Sequence, residues 1–140
     1  MAVPRTLASI IVEAESKKTA SEQAEVLKNN SSAALKAIIG HAMDPNVVWL
    51  LPLGDPPYRP LPKAADQELA LHTQTRMFQY LTKPGGETIT QIKREQIFIQ
   101  LLEGIDPDDA VLMLRVKAKN LKLLPEAVKI AFPGISAHWQ

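Results

Sequence analysis

The chain has no cysteine. That excludes disulfide stapling, thiolate zinc sites and cysteine nucleophiles. Aromatic residues make up only 5%, too few to interleave with cations as a stacking surface for single-stranded nucleic acid. Charge of one sign is also lacking: the formal net charge is +1, so no global field steers the protein to nucleic acid or membrane. Residues 1–70 carry 7 basic and 8 acidic groups, and residues 71–140 carry 9 and 7, which leaves the second half slightly basic. No uninterrupted apolar run approaches the roughly 20 residues that span a bilayer. The run Leu7 to Val12, broken by Ser9, is too short for a signal-peptide core and has no convincing cleavage site. The expectation is a soluble intracellular protein with no membrane partner.

The motifs of common chemistry are missing too. His41, His72 and His138 are far apart and form no paired-ligand spacing. Gly85-Gly86 lacks the preceding strand and the following Lys-Ser or Lys-Thr of a phosphate cradle. There is no Gly-x-Ser-x-Gly elbow. Asp106, Asp108 and Asp109 lack the alternation and the distal Glu of a calcium loop, and capping plus first-turn charge accounts for all three. Glu95 and Glu103 lie two turns apart with no partner that suggests acid–base work. The reading is of a protein that is not an enzyme and needs neither cofactor nor metal.

What is present is a helical pattern. Apolar residues reach 46% of 140 positions, enough to build one core. Helices are predicted over about Arg5–Ser16, Ala20–Asn29 behind a Thr19/Glu22 capping box, and Ser32–Met43. Another is predicted over about Gln67–Thr82 with Asp66 as its cap. Two more meet at a corner within Thr88–Asn120, where Gly104 reads as a positive-φ stop and Asp106-Pro107 as a restart. Their apolar sides are broad, with Ile92, Phe98, Ile99, Leu101 and Leu102 on the first and Val111, Leu112, Leu114 and Val116 on the second. A short last helix opens at Pro125 and stops at Pro133-Gly134, leaving 134–140 as a tail. Val47–Pro52 reads as a short strand or a buried extended segment, the extended or single-turn form being favoured because no second strand run is there to pair with, and Trp49 reads as its core anchor. The fold class is all-α: one domain over 1–140, of five to six helices, with that Trp-containing segment and a Pro-rich loop at 52–65.

Two surfaces are candidates for function. Arg115, Lys119 and Lys122 share one side if their helix continues to the last of them, Lys117 points elsewhere, and Lys93-Arg94 adds a second pair. Such cations suit phosphate contacts, although a solvated helix end explains them as well. The second surface is the loop at Pro56-Pro57-Tyr58. It is no PPxY motif, but it is a stiff, extended segment of the kind used for protein contacts.

A set of pieces spread over most of the chain carries a resemblance: Asp44-Pro45, Trp49-Leu50-Leu51-Pro52, Gly54, Pro56-Pro57-Tyr58, Lys93-Arg94-Glu95, Leu101-Leu102-Glu103-Gly104-Ile105-Asp106 and Ala131-Phe132-Pro133. In these the chain resembles small uncharacterised proteins of T-even-like tailed bacteriophages, including those that infect cyanobacteria. The resemblance implies a phage protein working in the host cytoplasm or in the virion, and it implies no catalytic residue. The expected function is a non-catalytic accessory protein binding nucleic acid or a nucleic-acid-handling partner. The alternative is a structural or assembly protein of the particle, acting through contacts with phage or host proteins.

Overall fold

The helices begin where a short polar side chain can take an orphan backbone N–H. In the computed structural model, which describes residues 6–52, 54, 56–60, 71–83 and 86–136, five helices start this way. Thr6 caps α1 (Leu7–Glu15), Thr19 caps α2 (Ala20–Asn29) and Ser32 caps α3 (Ala33–Met43). Thr90 caps α5 (Gln91–Gly104) and Asp106 caps α6 (Pro107–Ala118). At α2 half of the predicted capping box forms: the Thr19 hydroxyl accepts the Glu22 N–H at 3.2 Å, but the Glu22 carboxylate takes that hydroxyl at 2.9 Å rather than the Thr19 backbone N–H. Between α3 and α5 lie β1 (Val48–Trp49), α4 (Leu71–Gln74) running into a 3-10 stretch (Thr75–Tyr80), and β2 (Thr82–Lys83). After α6 come α7 (Pro125–Ala131) and a single turn, α8 (Pro133–Ser136).

The fold is all-α as expected, with eight α-helical segments among the described residues. The two N-terminal helices pack against each other, α2 lies along α7, and α6 contacts α1, α3 and α5. The core they enclose includes Leu7, Ile11, Leu27, Leu35, Ile38 and Phe98. The apolar faces of α5 and α6 are narrower than predicted: Ile92 is 72% and Val111 53% exposed, so neither packs inward. No described helix is long and apolar enough to cross a membrane.

Several local expectations need correction. The α5–α6 corner contains no positive-φ glycine: Gly104 is the last residue of α5, and the break falls at Ile105, extended at φ −106° and ψ 171°. Pro107 keeps Asp106, the residue before it, out of the helical region as well (φ −51°, ψ 137°), and Asp106 then takes the Asp108 N–H at 2.8 Å. The left-handed stop lies one helix later, at Lys119 (φ 57°), where α6 ends. Asn120 N–H reaches Arg115 O at 3.1 Å and Lys119 N–H reaches Val116 O at 3.0 Å, the paired bonds of a Schellman closure. The extended segment does find a partner. Val48 faces Lys83 and Trp49 faces Thr82 in an antiparallel ribbon, which Leu50 N–H extends to Leu81 O at 2.9 Å. The predicted Gln67–Thr82 helix is helical only as far as Tyr80 and its Thr82 belongs to β2; Asp66 and residues 67–70 lie outside the described residues. Part of the expected tail is α8, and residues 137–140 also lie outside them.

Candidate functional site

Each candidate cation has a definite place. Because α6 stops at Ala118, Arg115, Lys119 and Lys122 do not form one helical stripe. The Arg115 guanidinium pairs with the Glu15 carboxylate of α1, and the same carboxylate oxygen accepts the Lys122 N–H at 2.6 Å. The Lys119 ammonium donates to the Asp44 carbonyl at 2.6 Å. Burial pushes Lys119 below the usual lysine range, with the Asp44 charge opposing the shift. The Arg94 guanidinium gathers carbonyls from separate segments, Leu50 O at 3.2 Å, Gly86 O at 2.9 Å and Ile89 O, and is steadied by Gln91. Lys93 and the Lys122 side chain are exposed. Three of the five cations thus serve as ties within the fold.

A second knot joins α3 to the ribbon. The Trp49 indole N–H donates to His41 O at 3.0 Å. The His41 ring packs edge-on against Phe78, with centroids 4.9 Å apart, while its Nδ1 bonds Ala37 O at 2.8 Å. Burial pushes the His41 imidazole down, opposed by the Ala37 bond and the Asp44 charge, and helped by the Lys119 charge. Trp49 is half-buried against the core. Among the described residues no three His, Asp or Glu side chains gather as a metal set.

The proline segment forms one wall of a cleft of about 340 Å³. Leu51, Pro52, Gly54, Pro56 and Pro57 line one side, and Glu95, Phe98 and Ile99 of α5 and Lys117 of α6 line the other. Phe98 is buried and forms a floor, and Pro57 stands exposed at the rim. Two side chains hold the wall against the helices. The Lys117 ammonium donates to Pro52 O at 2.8 Å and to Gly54 O at 2.9 Å, and Glu103 accepts the Arg59 N–H at 2.8 Å. Of the three predicted contact residues, Pro56 and Pro57 line the cleft, while Tyr58 packs inward on the core.

None of the four lining residues on the helix side was predicted as a site: Glu95, Phe98, Ile99 and Lys117. The first three carry a signal in the sequence. They stand at i, i+3 and i+4, so one helix face must present them together. Lys117 carries a weaker one, since it is out of register with the other cations of its helix. The two glutamates do not work as a pair: Glu103 anchors the wall and Glu95 faces the cleft.

A search of curated proteins returns no match. The profile of a family of unknown function, DUF6433, matches residues 10–123, which takes in both walls of the cleft, the Trp49 knot and every cation discussed above. The chain belongs to the DUF6433 family of unknown function.

Proposed function

We propose that the chain is a non-catalytic docking protein that receives a peptide segment of a partner protein in the cleft beneath the proline wall. The observation that carries this reading is the cleft itself. It is concave, floored by Phe98 and Ile99, and walled by residues that Lys117 ties in place. A wall fixed before binding lowers the ordering entropy that association must overcome. The nucleic-acid reading has less support. Arg94, Arg115 and Lys119 would have to give up internal bonds to reach phosphates, and Lys93 and Lys122 alone would neutralise too few charges for firm binding. The resemblance to tailed-phage proteins suggests that the partner is a phage or host protein, in the host cytoplasm or in the virion.

The lack of cysteine makes a clean test available. A photo-crosslinker attached at Pro57→Cys is compared with one at Lys28→Cys, on α2 away from the cleft. Docking predicts one discrete adduct, in infected cells or in particles, that forms from position 57, is absent from position 28, and disappears when Ile99→Glu is added. Equal adducts from both positions, or none from position 57, would overturn the reading. Salt-sensitive retention on duplex DNA that Lys93→Glu/Lys122→Glu abolishes would return the choice to nucleic acid.

A further inference from the structure

The charge at the cleft says more about its occupant. Glu95 is half-buried in the lining, and among the described residues its carboxylate makes no hydrogen bond or ion pair. The other carboxylates around α5 and α6 are used: Glu103 takes the Arg59 N–H, Glu15 takes Arg115, and Asp109 takes the Ala8 N–H. Glu95 therefore presents an acceptor without a donor, one turn before the apolar side chains of Phe98 and Ile99. Lys117 lies in the same lining, but no ion pair joins it to Glu95, and its ammonium is directed to Pro52 O and Gly54 O. The cleft thus has an anionic position beside an apolar floor.

A long basic side chain matches that pattern. Arginine and lysine lay an aliphatic stem along apolar surface and keep the charged head at its edge. A volume of about 340 Å³ lies near the lower end of ligand pockets, about 300–1,000 Å³. It suits one long side chain with its adjoining extended backbone, and it is too small for a docked helix. Building on the docking reading, we infer that the partner segment inserts an arginine or lysine into this cleft, its stem on Phe98 and Ile99 and its head at the Glu95 carboxylate. An acidic segment is disfavoured because Glu95 repels it and the Lys117 ammonium is already bonded to Pro52 O and Gly54 O.

The test uses the ¹⁵N-labelled full chain and four capped tripeptides, Leu-X-Leu, with X as arginine, lysine, citrulline or glutamate. Citrulline keeps the shape of arginine and removes its charge. The amide signals of Glu95, Phe98, Ile99 and Gly54 report occupancy. The arginine and lysine peptides should saturate these shifts about two- to five-fold more tightly than citrulline, the range of a partly exposed ion pair, and the glutamate peptide should bind more weakly still. Glu95→Gln should bring arginine and citrulline to the same affinity, with the remaining amide signals of the chain unmoved to show that the fold is retained. Saturable binding with arginine equal to citrulline in the native chain would overturn the inference and leave the docking reading standing. A preference for glutamate, or no shift from any peptide, would also overturn it, and the crosslinking result then decides the docking reading by itself.

Discussion

Lys119 occupies a backbone position that usually belongs to glycine. At φ 57° its Cβ crowds the following carbonyl, a strain of about 1–2 kcal/mol for a residue other than glycine. Its ammonium offsets that strain by bonding Asp44 O at 2.6 Å. Two substitutions separate the effects. Lys119→Ala loses the bond and keeps the strain, whereas Lys119→Gly loses both. The glycine variant should therefore be more stable than the alanine variant by about 1 kcal/mol, or about 3 °C in Tm. Equal melting points would mean that the left-handed turn carries no strain. Asp109 also does more than its place in the chain suggests. It lies in the first turn of α6, where a carboxylate favours its own helix, but it is buried and takes the Ala8 N–H of α1 at 2.9 Å. A side chain that caps a helix 101 residues away leaves no local signal.

At the scale of elements, the link between the ribbon and α5 depends on a close approach at Gly86. Its N–H donates to Thr82 O at 2.8 Å, and a Cβ there would fall 2.7 Å from Tyr80 O and 2.9 Å from Thr82 O. Both neighbours are backbone and have little room to move, so Gly86→Ala should cost about 1–3 kcal/mol. Gly40, inside α3, has nothing within 4 Å of its Cβ position, so Gly40→Ala should stabilise by about 0.5–1 kcal/mol. One substitution with opposite signs at two sites is checked by two thermal melts. A loss of stability at Gly40, or none at Gly86, would contradict the packing described. The same contrast shows what was legible beforehand. Helix starts were readable at Thr19 and at Asp106-Pro107, because a cap and the residues it serves are neighbours in sequence. The β1–β2 pairing was not, since Thr82-Lys83 is too short to show alternation. The cleft was half readable. Its prolines and the Glu95, Phe98, Ile99 face are local patterns, but that the two lie opposite each other depends on Lys117 bonding residues 63 and 65 positions away.

The whole molecule is closed by ties between its first and last thirds. Ala8 N–H to Asp109, Glu15 to the Lys122 N–H, and Gln23 Oε1 to the Leu124 N–H span 101 to 107 positions. Contacts this distant in sequence make folding slow relative to a bundle of neighbouring hairpins. They also make global stability a sensitive readout of single titrations, His41 among them. Its imidazole is free to take a proton near pH 6.5 in the unfolded chain, while burial holds it lower in the fold. Between those two values the unfolded state binds more protons, so stability falls as pH drops through about 6.5 and stops falling once the folded ring is also charged. The loss of stability between pH 7.5 and 5.5, measured by urea unfolding, should be smaller in His41→Gln than in the native chain. Identical losses would mean that the fold leaves the proton affinity of His41 unchanged. The proline wall stands apart from these ties. Among the described residues none from 51 to 60 shares a backbone–backbone hydrogen bond, and the bonds that hold the wall run from Lys117 and Glu103 side chains. Opening it breaks those bonds and the packing of Leu51 and Tyr58 on the core, but no hydrogen bond within a helix. Its amide hydrogens then exchange with solvent through a sub-global opening set by those few bonds, and a bound segment slows that exchange without altering that of the core.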